Sequence, residues 1–200
     1  MSAPYSGLPF ARGETLHGGT PTDTTYVSPA CGQDFKVRDE WFGTGRVITL
    51  RAVKNEAGFA VLPKRRVQLS ADGSRISGYA RLANERAYPV DHLLPSAGCA
   101  DDDVCFVVVD GPATVLSDLA NYSADIAAGD LLNGQTAATS GATTAGRVKL
   151  RTVAAATADA TAGQRNVTEG DGANMRAISA CLTNSTNSDI LVDVFRGRAI

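Results

Sequence analysis

Two histidines, His17 and His92, are the side chains best suited to acid–base chemistry near neutral pH. His17 lies in a Gly-rich stretch in which nothing would fix its tautomer. His92 follows Asp91, and one hypothesis is a small hydrolase site that uses His92 with Asp91 or Ser77. The chain has no Gly-x-Ser-x-Gly turn to present a nucleophilic serine. We therefore predict that the protein is not an enzyme, that it has no catalytic residues, and that His92 lies at a surface or interface.

Two short motifs have residues that bind ions, but each lacks part of the required pattern. Gly43-Thr44-Gly45-Arg46 has the glycines of a phosphate loop without the lysine or the following helix. Asp101-Asp102-Asp103 lacks the alternating carboxylates and distal Glu of a calcium loop, so we interpret it as a solvated acidic turn. The cysteines do not form the Cys-x-x-Cys pairs of zinc sites; they are Cys31, Cys99, Cys105 and Cys181. We predict no metal site and no cofactor.

Cys99 and Cys105 flank the acidic turn and are therefore candidates to face each other across a hairpin. In an oxidising medium such a pair can form a disulfide, whereas in a reducing cytoplasm both remain free thiols. The sequence leaves both states open, and we favour the free thiols.

An aromatic pair, Trp41 and Phe42, follows Asp39-Glu40 close to the start of the first regular strand pattern. Such a pair either caps the hydrophobic core or anchors a partner protein. We favour the core cap.

The charge of the chain is nearly balanced, with 19 basic and 21 acidic residues and a formal net charge of −2. Binding a nucleic acid backbone needs a positive field, so we predict no nucleic acid partner. Apolar runs such as residues 104–109 are far shorter than the roughly 20 residues of a membrane span, and the start shows no signal-peptide pattern. We expect a soluble protein made in the cytoplasm, with no membrane partner.

The first 30 residues contain 16 that are Gly, Pro, Ser or Thr and show no apolar period. Such a segment buries too little apolar surface to offset its ordering entropy, so it stays disordered unless it lies on a partner. We predict that residues 1–45 are an extended N-terminal arm and junction, followed by a β-rich body at residues 46–200. Deletion of residues 1–30 is expected to leave that body folded but to weaken its attachment to the partner.

Short β-branched runs separated by turn residues begin at residue 46 and are typical of an antiparallel sandwich or barrel. Residues 104–109 are apolar throughout, which indicates a strand in the middle of the core. Asp110-Gly111-Pro112 predicts a turn into a hairpin partner at residues 113–116. Further strands are predicted at residues 46–53, 66–70, 76–82, 88–94, 175–182 and 189–195, and a short helix at residues 154–162.

The strand at residues 189–195 alternates between apolar and mixed positions. Because successive side chains of a strand point to opposite faces, the pattern predicts Ile190, Val192 and Val194 on one face. It predicts the other face to carry Leu191, Asp193 and Phe195.

The second half of the chain has an ordered series of motifs. Residues 103–112 (DVCFVVVDGP) precede a Gly-Asp-Leu step at residues 129–131, an Ala/Thr/Gly-rich stretch with residues 136–141 and 145–148, and closing strands at residues 177–180 and 191–194. In this order and spacing the segment resembles the capsid decoration, or cement, proteins of tailed phages. The resemblance covers residues 103–195, about half of the chain, and nothing in the first 100 residues contributes to it.

This resemblance implies a fold and a function. The expected fold is mainly β: an antiparallel β-barrel or β-tulip-like body with an extended N-terminal arm and at most one or two short helices. The expected function is structural, in a homotrimer or dimer that binds the major capsid protein on the outer capsid surface and stabilises the shell. An arm that adds a strand to the capsid, repeated over a symmetric shell, would strengthen the attachment.

A different class of function is kept as the alternative. In a surface carbohydrate-binding module or adhesin, Tyr79, Tyr88 and Trp41 would stack on sugar rings.

Overall fold

The computed structural model describes residues 8–16, 30–80, 87–117, 126–134, 145–150, 175–179 and 189–196. These residues form one open sheet whose strands are β1 (Asp34–Arg38), β2 (Val47–Asn55), β3 (Arg66–Leu69), β4 (Arg75–Tyr79), β5 (Tyr88–Pro89), β6 (Val104–Leu116), β7 (Leu131–Gly134), β8 (Val148–Leu150), β9 (Met175–Ala177) and β10 (Asp189–Val194). The mainly β prediction is confirmed, although the sheet does not close into a barrel. Within the described ranges no helix occurs, and hence none long and apolar enough to span a membrane.

The strands follow the order β5-β3-β4-β2-β6-β10-β9-β7-β8, and β1 pairs with β2 beside this path. All pairs are antiparallel except β2 and β4, which are parallel at Lys54↔Arg75 and Asn55↔Ile76. The expected antiparallel pattern is therefore broken at one short ladder. β2 and β4 can be parallel because β3, which lies between them in the chain, runs antiparallel to β4.

β6 is the central element because both of its faces are buried. Val104, Phe106 and Val108 point into a first core, which also contains Val37, Ile48, Leu50, Ala52, Ala113, Val115, Ile190, Val192 and Val194. The residues between them point into a second core, which contains Cys105, Val107, Val109, Val53, Val61, Val67, Ile76, Tyr79, Val90, Leu94 and Cys99. A strand covered on both faces has an unbroken apolar run. The predicted position of residues 104–109 in the middle of the core is confirmed.

The predicted turn at residues 110–112 is wrong, because β6 runs without reversal through all 13 residues. Its first part pairs with β2 and its second part with β10, and the change occurs between Asp110 and Gly111. Val109 is the extra residue of a bulge, since Thr49 pairs with Asp110 and Leu50 with Val108. Gly111 has a φ of +95°. A glycine in this conformation also occurs at bulges, so the Gly-Pro signal here marks a change of partner and not a hairpin turn.

Gly111→Ala is expected to destabilise the protein more than Gly129→Ala, although the two glycines have nearly the same φ, +95° and +96°. A Cβ at position 111 would lie 2.6 Å from the carbonyl oxygen of Val47, whereas one at position 129 meets nothing within 4 Å. We expect the difference in the free energy of unfolding to be about 1–3 kcal/mol. Urea denaturation of both variants measures it, and equal losses would contradict a close approach of β2 at this bulge.

Several other predicted strands are confirmed, and others are shorter than expected. β2, β3 and β10 lie where the alternation places them, and Ile190, Val192 and Val194 share one face, as predicted; that face is buried. In the segment 88–94 only Tyr88–Pro89 forms a strand, with one further bridge at Val90, because Asp91 begins a turn closed by a hydrogen bond from the Leu94 N–H to the Asp91 carbonyl (3.3 Å).

The last part of the chain is described only in part. In the segment 175–182, β9 ends at Ala177, and residues 180–182 lie outside the described residues. The predicted helix at residues 154–162 and the histidine His17 also lie outside them.

β4 ends at Tyr79, short of the predicted residue 82. The pattern did not predict β1, β7 or β8.

Residues 8–16 of the predicted arm lie on the body of the same chain. The ring of Phe10 stacks on that of Phe106 with a centroid distance of 4.2 Å and an interplanar angle of 13°. Leu16 and Val104 exchange two backbone hydrogen bonds of 2.9 and 2.8 Å. Arg12 binds the carboxylate of Asp91 through Nε (2.8 Å) and Nη2 (2.6 Å). The expectation that the arm gains order only on a partner is therefore wrong for this segment.

β1, which also lies within residues 1–45, is a full member of the sheet. It pairs with β2 from Asp34↔Arg51 to Arg38↔Val47, and Val37 is buried in the first core. The alternation of exposed and buried positions in β1 is that of a strand with one covered face. Residues 1–7 and 17–29 lie outside the described residues.

Arg12→Met is expected to lower the free energy of unfolding by about 3–5 kcal/mol, because it leaves the buried carboxylate of Asp91 without its cation. The Arg12 and Asp91 side chains are only 2% and 1% exposed. Arg75→Met is the matched control, since Arg75 and Glu56 pair at the surface with side chains 44% and 31% exposed and should contribute less than about 1 kcal/mol. If chemical denaturation gives the same loss for both, the arm does not stabilise the body through this pair.

Candidate functional site

The turn between β1 and β2 is organised by the carboxylate of Asp39. This side chain accepts hydrogen bonds from the backbone N–H groups of Trp41 (3.0 Å), Phe42 (2.8 Å) and Thr44 (2.9 Å), and from the Thr44 hydroxyl. Burial by itself raises the pKa of Asp39, but these hydrogen bonds outweigh it and hold the pKa below its usual value. The turn is therefore fixed by an ionised group within it.

This arrangement also explains the Gly-Thr-Gly motif. Gly43 and Gly45 both have a φ of +66°, which allows the chain to wrap around Asp39. Backbone N–H groups that a phosphate loop would direct at an anion are here bound to a carboxylate of the same turn. The sequence signal for this turn is the Asp-x-x-x-Gly-Thr-Gly order of residues 39–45, in which the aspartate takes the place of a bound anion.

Trp41 projects from the Asp39 turn with 66% of its surface exposed, so the core-cap interpretation is wrong for this residue. Val47, at the end of the same turn, is 53% exposed. Phe42 is half-buried, and its ring lies 4.9 Å from that of His92; the Trp41 ring is 5.7 Å from the same imidazole. Trp41 thus presents a large apolar face from a turn that cannot easily rearrange, with His92 beneath it.

The His92 side chain is only 5% exposed, and neither ring nitrogen makes a hydrogen bond. Its Nδ1 lies 3.4 Å from Oδ1 of Asp91, whose carboxylate already binds Arg12. Burial lowers the pKa of His92, and the nearby Arg12 lowers it further, while Asp91 opposes the shift. The imidazole is therefore neutral at pH 7 and supports the two aromatic rings.

The hypothetical hydrolase residues come together only in part. His92 and Asp91 are neighbours, but the Ser77 hydroxyl is exposed on β4 and donates to the Gln68 carbonyl at 3.3 Å. Within the described part of the chain no hydrogen bond joins Ser77 to His92. The absence of enzyme activity stays a prediction.

The acidic turn at residues 101–103 makes structural contacts. Asp101 accepts a hydrogen bond from the Gly58 N–H (2.9 Å), and Asp102 pairs with the buried Lys54 at 3.0 Å. No group of three or more metal-ligating side chains occurs among the residues that the structure describes. Asp102 therefore ties the turn to β2 and Asp101 ties it to the loop that follows β2, so the expected solvated turn is more closely attached to the body than predicted.

Cys99 and Cys105 are fully buried free thiols. Contact with the Cys99 thiol and complete burial raise the pKa of Cys105 well above its usual range, so it is protonated at neutral pH. Cys99 donates to the Asp103 carbonyl at 3.5 Å. Cys31 is half-buried beside the first core, and Cys181 lies outside the described residues.

The three aromatic residues of the carbohydrate hypothesis do not form one surface. Tyr79 is buried in the second core, where its hydroxyl accepts a hydrogen bond from the Leu62 N–H (2.7 Å), so it cannot stack on a ligand. Tyr88 is half-buried and lines an open cleft, whereas Trp41 lies on the Asp39 turn.

Comparison with known proteins gives one distant similarity. No family model matches the chain, and no curated protein matches it. A solved structure that is similar to it is the N base of the head fiber protein gp8.5 of bacteriophage phi29. The two share 10% sequence identity with a TM-score of 0.41, over 76% of this chain and 98% of that one.

The stability of the protein is expected to fall as the pH drops below about 6.5, the ordinary pKa of histidine. The pKa of His92 is lower in the folded than in the unfolded state, so the unfolded chain binds the proton first and folding loses free energy as the pH falls. Chemical denaturation between about pH 7 and 5 should show this slope in the parent protein and in His17→Gln, but not in His92→Phe. A slope retained in His92→Phe would contradict the burial of a neutral imidazole.

Proposed function

We propose that this chain is a structural virion protein that binds the major capsid protein on the outer surface of a phage capsid and stabilises the shell. The observation that carries the proposal is the rigid presentation of Trp41, which is 66% exposed on the Asp39 turn. The similarity of residues 103–195 to tailed-phage decoration proteins and the β-rich body support it. In this proposal the protein acts as a homotrimer or dimer and is made in the bacterial host cytoplasm.

Side chains that become ordered at an interface lose conformational entropy, which lowers the affinity. A tryptophan on a mobile loop loses conformational entropy when it binds, but four hydrogen bonds to Asp39 have already fixed this turn. Tryptophan is also the side chain most enriched among residues that dominate binding energy. Val47, the first residue after the turn, is a second exposed apolar side chain (53%).

The position of residues 8–16 changes which part of the chain we assign to attachment. An arm that adds a strand to the capsid must have free backbone groups, but Leu16 is already paired with Val104. We therefore assign attachment to the Trp41 patch, defined as Trp41 and Val47, and not to residues 8–16. Many copies on a symmetric shell make a modest single contact collectively strong.

Trp41→Ala should weaken binding to undecorated, expanded capsids by about thirtyfold or more, because it truncates the central anchor. Ile178→Ala is the matched control, since Ile178 is an exposed apolar residue (36%) outside the patch and should leave binding unchanged. Binding is measured by co-sedimentation over a concentration series, and stabilisation by the melting temperature of the shell. The melting temperature of each free variant shows that it is folded.

Two outcomes would overturn the proposal at different levels. Absence of saturable binding by the parent protein removes the decoration function. Saturable binding that is unaffected by Trp41→Ala keeps the function but removes the Trp41 patch as its attachment surface.

A further inference from the structure

An open cleft of about 510 Å³ lies where the second core meets solvent, and neither residue of the Trp41 patch lines it. Leu69 and Val109, which belong to the second core or pack against it, give it an apolar base. Its other lining residues are mostly polar: Arg51, Gln68, Ser70, Asp72, Tyr88 and Arg196. Its volume lies within the range of small-molecule sites, and its lining is more polar than is usual for them.

The basic side of the cleft is held in place by a shared carboxylate. Arg51 donates to Asp34 through Nε (2.8 Å) and Nη2 (3.1 Å), and Arg196 donates to the same carboxylate. Burial alone raises the pKa of Asp34, but the two guanidinium groups lower it below its usual value, so Asp34 is charged at neutral pH. The third nitrogen of this guanidinium group, Nη1 of Arg51, does not bind Asp34. It lies next to Gly73 on the other side of the cleft.

The opposite wall is the tight turn between β3 and β4. Asp72 accepts hydrogen bonds from the hydroxyls of Ser70 (2.5 Å) and Ser74 (2.7 Å) and from the Ser74 N–H (3.1 Å). These hydrogen bonds fix the carboxylate and lower the pKa of Asp72 far below its usual value. Both walls therefore hold their polar groups in set positions before any ligand binds.

The charges around the cleft cancel. The lining carries two guanidinium groups, Arg51 and Arg196, and one carboxylate, Asp72, while Asp34, which binds both arginines, supplies the second negative charge from beside the cleft. The guanidinium groups donate hydrogen bonds, the Asp72 carboxylate accepts them, and the Gln68 amide and the Tyr88 hydroxyl do both, so the lining can match the hydroxyls of a sugar. The half-buried ring of Tyr88 and the apolar base suit the C–H face of a pyranose.

We propose that this cleft binds a neutral saccharide unit, and that it is a second binding site, separate from the surface assigned to capsid attachment. A phosphate or carboxylate ligand is disfavoured because the Asp34 carboxylate binds both guanidinium groups and offsets their charge. The site would allow a capsid-bound protein to hold a glycan at the virion surface. It does not depend on the proposed decoration function, since none of its residues belongs to the Trp41 patch.

The test uses the full chain and the methyl glycosides of glucose, galactose and mannose, titrated to millimolar concentration and followed by NMR. We expect saturable binding of at least one glycoside, weakened tenfold or more in Arg196→Ala and in Tyr88→Leu. Arg75→Ala is the control, because Arg75 is an exposed arginine that pairs with Glu56 outside the cleft lining and should bind as the parent does. Two cleft variants are used so that a folding defect in one does not decide the result.

Three results would overturn the inference. The first is that none of the glycosides binds the parent protein. The second is that methyl glucuronide, which carries a carboxylate, binds more tightly than the neutral glycosides. The third is that Trp41→Ala abolishes sugar binding while the cleft variants retain it. Capsid binding by the cleft variants should remain unchanged, so failure here is distinguishable from failure of the proposed decoration function.

Discussion

The burial of β6 on both faces is the constraint on which the rest of the structure depends. Each buried valine or phenylalanine of this strand contributes about 1.5–3 kcal/mol relative to exposure, so neither face can be left to solvent. The first face is covered by β10 side chains and by Phe10, which stacks on Phe106. The second face is covered by β3, β4 and the irregular segments 56–62 and 90–99. The sheet therefore has two cores that share one strand.

Covering a core with irregular chain requires that its backbone groups find partners, because an unpaired buried N–H or C=O is costly. Asn55 meets this requirement for the second core. Its Nδ2 donates to the carbonyls of Phe59 (2.8 Å), Cys99 (3.0 Å) and Ala100 (3.0 Å), and its Oδ1 accepts from the Ala57 N–H (3.1 Å). Backbone hydrogen bonds between Val61 and Cys99 complete the contact. One buried amide thus holds together two loops that are distant in sequence.

The sequence predicts a strand and its faces correctly where the evidence is the pattern of apolar residues within that one strand. The apolar run of β6 predicted a strand in the middle of the core, and the alternation in β10 predicted which side chains share a face. It was insufficient where a residue acts through a partner far along the chain. Arg12 and Asp91 are 79 positions apart, and neither has a local signal for the pair. The Asp110-Gly111-Pro112 sequence is typical of a turn. Only the structure shows that Gly111 is needed because the Val47 carbonyl leaves no room for a Cβ next to the bulge.

The same buried pair restricts how the protein can attach to anything else. If residues 8–16 left the body to bind a partner, Asp91 would remain buried without Arg12, and Phe106 would lose the ring of Phe10. A contact with the partner would have to recover this loss before it contributed any affinity. The Asp39 turn requires no such exchange, because Trp41 is exposed while the carboxylate that fixes the turn is satisfied within it. Attachment through a fixed aromatic residue is therefore favoured over release of this segment, and binding and folding can be changed by separate substitutions.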